Sequence, residues 1–467
     1  MSLARVWLAV ALGLPALVAL LVPLPAVDLA YQVRVGDLIL AGGGIPRSDA
    51  FTFTVYGQPW TDQQWLAQVL LSLGYRAGGW ELLAVLRAAL VAATTGLLVL
   101  AGRLRGAGLR TASVLALLAF LVTAPALALR PQLFAIAVFA ALLALVAGRD
   151  RHARAYLAAP LLVVVWANLH GSFVLAPLLL GYAWLEDVVR HRPWWRSLGV
   201  LAVGTAATCV TPFGPGVWAY AVGIGADPLI TSRVSEWQRT SPLSVTGALF
   251  YGSVLAAGLV AWRGRARLVW PDALWLAGLA LLGAWAVRGA AWWPAGALPV
   301  VAAALAAPAG ETTLRRPAPR AMRRLNVLVA AVLALGVVVA LPWWRPADPL
   351  AGRVGLLAYA PSGLAAWVRE HAQPGARVFV PQTWGSWFEW AAPQQRYFVD
   401  SRFELFPADV WADNDAIAAG GASAGAALGR WNVDVVVLPD GWTAPGRAWA
   451  SAYRDEGGSV LVRAPSR

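Results

Sequence analysis

Long apolar stretches separated by short polar ones fill the first three quarters of the chain. The first run, Val6 to Val27, follows Arg5 and lacks a small-residue cleavage site, which predicts a retained helix. An apolar run of about 20 residues can cross a bilayer, so the pattern predicts about 11 transmembrane helices, with ten or twelve as alternatives because some runs are short and contain proline. The other ten runs lie at 80 to 102, 112 to 129, 131 to 148, 155 to 168, 171 to 186, 197 to 212, 243 to 262, 270 to 287, 290 to 308 and 325 to 344.

The pattern changes after Trp344. A helix is predicted from Pro361 to His371, followed by a Pro-Gly turn and a strand from Arg377 to Pro381, and "WNVDVVVLP" and "SVLVRA" read as two more strands. The sequence therefore predicts a polytopic α-helical membrane domain, residues 1–344, with a long first outer loop at 28–79. It also predicts a small C-terminal α/β extracytoplasmic domain, residues 345–467.

Arginine clusters occupy alternate loops between the apolar runs. Positive residues concentrate in cytoplasmic loops, so this alternation predicts a cytoplasmic N-terminus and places the first loop and the C-terminal domain outside. The clusters are Arg103, Arg105 and Arg110; Arg149, Arg151 and Arg154; Arg190, Arg192 and Arg196; Arg263, Arg265 and Arg267; and Arg315, Arg316, Arg320, Arg323 and Arg324.

Composition agrees with a membrane protein. The 467 residues are 59% hydrophobic and 13% charged, with mean hydropathy +0.61. The net charge of +13 comes from arginines beside apolar runs, which indicates contact with membrane lipids and not with nucleic acid. The lone Cys209 excludes a disulfide framework. Exclusive use of arginine, with abundant alanine and glycine, indicates a GC-rich bacterial genome and hence the bacterial cytoplasmic membrane.

The first outer loop begins with an acid at the end of the first apolar run. Asp28, Asp49 and Asp62 share this loop with Arg34 and Arg47. One interpretation is that Asp28 only terminates a helix; the other is that the loop binds a phosphate and a sugar hydroxyl together.

The loop continues from Trp65 as an amphipathic helix that is predicted to lie in the membrane interface. Its apolar residues at helical spacing are Trp65, Leu66, Val69, Leu70 and Leu73.

A second charged segment, "ITSRVSEWQRTSP", places Glu236 between Arg233 and Arg239, between two apolar runs. A carboxylate at the centre of a membrane helix costs roughly 2.5 kcal/mol or more, so an acid near the bilayer suggests a function. The alternative is an exposed salt bridge, worth roughly 0 to 1 kcal/mol. In the functional interpretation Glu236 orients an acceptor or binds a metal, and the arginines face a phosphate.

Three segments together resemble the C-type, multi-span glycosyltransferases that use a lipid-phosphate sugar donor. Within them the chain looks most like the catalytic subunit of oligosaccharyltransferase. "DLAYQVRVGDLILAGGGIP" is similar to the first-loop pattern of that family, and "RVSEWQ" to its Ser-Val-Ser-Glu motif. "WVREHAQPGARVFVPQTWGSWFEWAAPQQRYFVDSR" resembles the soluble-domain segment that carries a Trp-Trp-Asp-Tyr-Gly motif.

Two departures limit the resemblance. Where the family has paired acids that help to bind a divalent metal, this chain reads "ALALRPQLF", with Arg130 and no acid. "TWGSWFEW" keeps Trp384, Gly385 and Trp387 but lacks the aspartate and the tyrosine. Recognition of a peptide sequon is therefore not carried over. A Mg²⁺ or Mn²⁺ cofactor is not favoured, although Asp28 and Glu236 could still hold one.

The resemblance implies that Asp28 is the base that accepts the proton of the acceptor. Arg130, Arg233 and Arg288 are candidates for the lipid phosphate, because they lie in predicted outer loops and carry bidentate donors.

Three further positions complete the candidate set. His170, in "WANLHGSF", could bind a hydroxyl or a phosphate, or belong to a packed turn. Trp384, and Arg402 beside Asp400, follow from the resemblance of the C-terminal segment, although polar residues at strand ends are usually structural.

The leading hypothesis is an integral-membrane glycosyltransferase that moves a hexosyl or pentosyl group, with inversion, from a polyprenyl-phosphate donor. The acceptor is an unidentified glycan, lipid or protein on the outer face. The alternatives are a transporter or flippase for a lipid-linked saccharide, and a non-catalytic protein of polysaccharide assembly. A transporter is expected to carry its charges near the bilayer midplane, whereas these lie at the predicted outer ends.

Overall fold

The computed structural model describes residues 1–307, 320–442 and 448–464. These residues form two compact units: residues 1–22 with 84–344, and residues 23–83 with 345–467. The long first loop thus belongs to the same unit as the C-terminal segment. Arg315 and Arg316, from the fifth predicted arginine cluster, lie outside the described residues.

Helices account for most of the chain before Trp344. Each of the 11 predicted apolar runs overlaps one of them. They are α1 (Leu3–Leu21), α2 (Ala26–Leu38), α3 (Trp65–Leu104), α4 (Leu109–Thr123), α5 (Pro131–Gly148), α6 (Ala153–Tyr156), α7 (Ala159–Leu169), α8 (Leu175–Val189), α9 (Trp194–Ala207), α10 (Gly216–Ala226), α11 (Pro228–Arg233), α12 (Val245–Arg263), α13 (Trp270–Trp285), α14 (Val287–Ala290), α15 (Trp293–Ala304) and α16 (Arg320–Val339).

Within the described residues, seven helices are long and apolar enough to cross a membrane. Four predicted runs instead correspond to the shorter helices α7, α9, α13 and α15, of 11, 14, 16 and 12 residues. A helix rises about 1.5 Å per residue, so these helices are shorter than the roughly 30 Å of bilayer hydrocarbon. The count of 11 spans stays a prediction.

The first apolar run is not one helix, which corrects the predicted position of Asp28. Helix α1 ends at Leu21, Pro23 and Pro25 interrupt the run, and α2 begins at Ala26. Proline lacks the N–H that a continuing helix needs. Asp28 therefore lies in the first turn of α2 and does not end α1, and the helix N-terminus favours its negative charge.

Buried ion pairs join four helix ends within the first unit. Arg105 lies 2.8 Å from Glu186 and 3.2 Å from Asp272, and Arg149 lies 2.9 Å from Glu186 and 2.7 Å from Asp187. These residues stand at the ends of α3, α5 and α8 and at the start of α13. These ion pairs thus connect loops that the sequence predicts to lie in the cytoplasm.

A five-stranded sheet organises the second unit, and two pairs of short strands, β1 with β4 and β2 with β3, lie outside it. The strands of the unit are β1 (Leu24–Pro25), β2 (Ala347–Asp348), β3 (Gly352–Arg353), β4 (Leu357–Ala358), β5 (Arg377–Phe379), β6 (Arg396–Tyr397), β7 (Val435–Pro439), β8 (Trp449–Asp455) and β9 (Gly458–Arg463). The sheet has the order β6-β5-β7-β9-β8, with β5 parallel to β6 and β7 and the other pairs antiparallel. All three predicted strands belong to it. Helices α17 (Ser362–His371), α18 (Gln382–Ala391), α19 (Ala408–Ala419) and α20 (Gly421–Arg430) accompany the sheet.

The first loop extends this sheet at its β6 edge. Tyr397 donates its N–H to Phe51 O at 3.1 Å and accepts from Phe53 N at 3.0 Å, and Thr52 bridges to Tyr397 in parallel. An uncovered edge strand invites pairing with other chains. The loop covers the edge and becomes part of the same folded unit.

The start of α3 presents an unusual distribution of side chains. Leu70 and Leu73 are exposed, whereas Gln68 and Ser72 are fully buried. Exposed apolar groups suit a helix in the membrane interface, and that position stays a prediction. Of the buried polar groups, Gln68 Nε2 donates to Asp62 and Ser72 Oγ donates to Asp37, each at 2.7 Å.

Candidate functional site

Four loops of the first unit bring charged side chains together. Arg130 immediately precedes α5 and has extended backbone angles, φ −137° and ψ 165°. Pro131 fixes the first residue of the helix and has no N–H to satisfy. Arg130 therefore lies at the N-terminal end of α5.

Glu236 stands in a single turn of 3₁₀ helix, Ser235–Trp237. Backbone contacts fasten the following residues: Val287 N–H donates to Gln238 O at 3.0 Å, and Thr240 Oγ1 donates to Gly283 O at 2.5 Å. The turn is therefore held to α13 and α14.

Arg130 and Glu236 form a partly exposed ion pair. Arg130 Nη1 lies 2.6 Å from Glu236 Oε1, and the two side chains are 29% and 36% exposed. Burial alone raises the pKa of Glu236, but the positive charges of Arg130 and Arg288 outweigh burial and hold that pKa below its usual range. Glu236 is therefore an ionised carboxylate beside two cations.

Arg288 is held by two contacts. Its Nη2 lies 2.8 Å from His170 Nε2, and its guanidinium carbon lies 5.3 Å from the centre of the Trp237 ring. The first is a hydrogen bond from the cation, and the second is a cation–π contact. Arg288 belongs to α14, a helix of four residues that the extended Ala286 separates from α13.

His170 connects α7 to α8 and is buried, with 4% of its surface exposed. Its Nδ1 accepts from the Ser172 backbone N–H at 3.1 Å and lies 2.8 Å from Ser172 Oγ, and Trp166 Nε1 donates to that Oγ at 3.0 Å. Burial, followed by the charge of Arg288, lowers the pKa of His170 well below its usual range. The imidazole is therefore neutral.

Arg233 ends α11, three residues before Glu236, and is half-buried. The structure thus brings Arg130, Glu236, His170 and Arg288 together, and it places Arg233 on the segment that leads into the Glu236 turn.

A second group of candidates surrounds Tyr31 of α2 in the second unit. Burial raises the pKa of Tyr31 well above its usual value, and the negative charges of Asp28, Glu404 and Asp62 add to the effect. Asp28 is half-buried. Gln32 Nε2 donates to the Tyr31 hydroxyl at 2.6 Å.

Asp62 is almost fully buried, with 2% exposed. Its Oδ1 accepts from Gln68 Nε2 at 2.7 Å. Burial raises its pKa to about 7, against the lowering effects of the Gln68 bond and of Arg402. Asp62 therefore changes protonation near neutral pH, which suits a group that exchanges a proton.

Asp49 and Arg402 belong to a buried ion cluster. Arg402 Nη2 lies 2.6 Å from Asp49 and 4.0 Å from Glu389, and it also pairs with Asp400. The guanidinium stands 4.6 Å from the centre of the Trp60 ring. Burial and Asp400 raise the pKa of Glu389 well above its usual range. The arrangement favours a structural role; the predicted substrate contacts of Asp49 and Arg402 remain predictions.

Three sequence-predicted candidates remain. Arg34 is a half-buried residue of α2, Arg47 is exposed, and Trp384 stacks on Phe388 with ring centres 6.4 Å apart. Among residues 1–307, 320–442 and 448–464, no three His, Cys, Asp or Glu side chains are grouped to hold a metal ion.

The structure adds residues that sequence reasoning did not single out as candidates. Tyr31 is three residues from Asp28 on one helix, a spacing that places both on one face. Gln68 follows Asp62 by six residues, and Glu389 lies within the quoted segment "TWGSWFEW". A search for polar residues inside apolar surroundings would have found Gln68 and Glu389.

Solved structures supply the comparison, since no family model and no curated protein matches the chain. The crystal structure of the Archaeoglobus fulgidus oligosaccharyltransferase in the apo form has TM-score 0.57 and 14% identity, covering 94% of this chain and 69% of that one. The same enzyme tethered with an acceptor peptide that contains the NVT sequon gives TM-score 0.57, 13% identity and coverages of 93% and 69%.

A third similar structure is the cryo-EM structure of the arabinofuranosyltransferase AftD from Mycobacteria. It has TM-score 0.57 and 18% identity, and covers 99% of this chain but 42% of that one. The chain therefore has the fold of polytopic membrane glycosyltransferases. The fold resemblance predicted from the three sequence segments is confirmed.

Proposed function

We propose that this protein is an integral-membrane glycosyltransferase that moves a sugar from a polyprenyl-phosphate donor to an acceptor on the outer face of the membrane. The observation that carries the proposal is the partly exposed Arg130–Glu236 pair with Arg288 beside it, in a chain with a glycosyltransferase fold. Two guanidinium groups against one carboxylate leave a net positive charge, which suits a lipid phosphate.

The reaction needs a proton acceptor and an anion site. The acceptor hydroxyl attacks the anomeric carbon and gives its proton to a carboxylate, for which we propose Asp28. The bond between that carbon and the phosphate oxygen breaks, and the lipid phosphate leaves with the electron pair. Arg130 and Arg288 stabilise the charge that develops on the leaving oxygen. Attack from the side opposite the phosphate inverts the anomeric centre.

Glu236 lies beside Arg130 and Arg288 and reduces the positive charge of the proposed anion site. With the phosphate absent, Glu236 reduces the repulsion between Arg130 and Arg288. When a phosphate binds, it competes with Glu236 for the guanidinium donors. The acceptor, a glycan, a lipid or a protein, is left unspecified by these contacts.

The test uses the purified full-length protein in nanodiscs with radiolabelled polyprenyl-phosphate sugars and a membrane extract as acceptor. Asp28→Asn keeps the shape of the side chain but cannot take a proton, so it is expected to bind donor and transfer no sugar, a loss of at least a hundredfold. Full activity of Asp28→Asn would show that Asp28 only starts α2. Movement of labelled lipid across proteoliposomes without transfer would favour the flippase alternative.

A further inference from the structure

Arg288 is half-buried, and its two direct contacts are with uncharged groups, unlike those of the buried Arg149 and Arg402. Arg149 and Arg402 are each paired with carboxylates. Arg288 instead donates to His170 and stands beside the face of Trp237. Neither an imidazole nor an indole carries a negative charge, so neither contact neutralises the guanidinium.

The orientation of the His170 ring follows from its partners. A guanidinium only donates hydrogen bonds, so Nε2 of His170 is the atom that can accept from Arg288. On the other side of the ring, Nδ1 lies 3.1 Å from the backbone N–H of Ser172 and 2.8 Å from Ser172 Oγ. Ser172 thus holds the ring in place, as outer partners of a histidine commonly do.

We infer that His170 is a positioning residue that aims Arg288 at a lipid phosphate while preserving its positive charge. The inference rests on the proposed function and gives His170 a role other than direct contact with substrate. A carboxylate at position 170 would hold Arg288 equally well but would cancel the charge that attracts the phosphate. A neutral acceptor meets both requirements.

The experiment measures binding of a polyprenyl phosphate without sugar to full-length protein in nanodiscs, with melting temperature measured in parallel. His170→Phe keeps an aromatic ring but has no acceptor, and it is expected to weaken binding about tenfold, as for the loss of one charge-assisted hydrogen bond. His170→Gln offers Oε1 as an acceptor and is expected to bind within about threefold of the wild type. The exposed His371 is the matched control, and His371→Ala is expected to bind as the wild type does.

A double variant distinguishes an effect of His170 on the position of Arg288 from a general effect of His170 on packing. In an Arg288→Ala background His170→Phe is expected to have no further effect on binding, because the group it aims is gone. Additive losses, wild-type binding by His170→Phe, or failure of His170→Gln to recover binding would each overturn the inference. If the wild type and Arg130→Ala, Arg288→Ala and the double Arg variant all bind the lipid phosphate alike, the proposed function itself is wrong.

Discussion

Glu236 and Glu389 both stand near arginine, yet their surroundings move their proton affinities in opposite directions. The pKa of Glu236 is lowered because two arginines act on one partly exposed carboxylate. The pKa of Glu389 is raised because it is buried and Asp400 lies close to it. The number of charges within reach and the access to water decide the result. Sequence neighbours alone do not reveal either quantity.

Arg130 stands where the sequence resemblance leads us to expect paired acids, and we expect it to do part of the work of a metal ion. Arg130→Ala is expected to reduce sugar transfer at least tenfold, mainly through weaker donor binding, and Arg130→Lys to recover only part, because a point charge cannot make bidentate contacts. A chelator of divalent metal ions is expected to leave sugar transfer unchanged. Loss of transfer with chelator, its recovery with Mg²⁺ or Mn²⁺ and a silent Arg130→Ala would together contradict this mechanism.

Asp62 makes stability depend on pH. Its pKa rises from the usual 3.8 to about 7 on folding, so the folded state holds the proton more tightly than the unfolded state. The stability that this proton contributes is present at low pH and is lost as pH rises from about 4 through about 7. Relative to Asp62→Asn, the wild type is expected to lose on the order of 3 kcal/mol over that range.

The comparison uses melting temperature at pH 5 and pH 8 for both proteins. Asparagine can still accept the Gln68 hydrogen bond, so Asp62→Asn removes only the charge. The variant should gain stability over the wild type at pH 8. Parallel pH profiles would show that Asp62 is ionised at both pH values.

At the level of single residues, the sequence located some charged groups and missed their partners. In the salt-bridge interpretation the sequence offers Arg233 and Arg239 as partners for Glu236, whereas the structure pairs Glu236 with Arg130, more than a hundred positions away. Arg288 was predicted as a phosphate ligand without its contact to His170. Helix packing creates such pairs, and periodicity along the chain carries no information about them.

At the scale of elements, contacts sort the loops of the first unit into two sets. Loops that contain Arg130, His170, Glu236 and Arg288 meet each other. The loops that follow α3, α5 and α8 and the loop that precedes α13 meet through Arg105 and Arg149. Alternating transmembrane passage requires this sorting, because successive loops lie on opposite faces of the membrane.

Element types were predicted better than element ends. Long apolar runs and short alternating strands are strong local signals, and every predicted run and strand has a counterpart. The break between α1 and α2 was missed, although Pro23 and Pro25 marked it. The strands β6 and β8 were not predicted; β6 has two residues and β8 has mostly half-exposed or exposed positions, so neither gives a clear pattern.

For the whole molecule, the sorted loops lead to a prediction of sidedness. The arginine-rich set is expected in the cytoplasm. Alkaline phosphatase fused after Arg467 should therefore be active, and the same reporter fused after Arg196 should be inactive, while a fluorescent protein should show the reverse. Phosphatase activity of the Arg196 fusion but not of the Arg467 fusion would show the opposite topology. It would contradict the assignment of every site to the outer face.

The second unit is built from two stretches of chain, 23–83 and 345–467, with residues 84–344 synthesised between them. At about 5 to 20 residues per second, the ribosome needs on the order of 10 to 50 seconds for that interval. Until it ends, Asp49 lacks Arg402 and the segment around Thr52 has no strand to pair with. Completion of this unit is therefore a late step of biosynthesis, and a ribosome that stalls within residues 84–344 leaves the first loop with nothing to fold against.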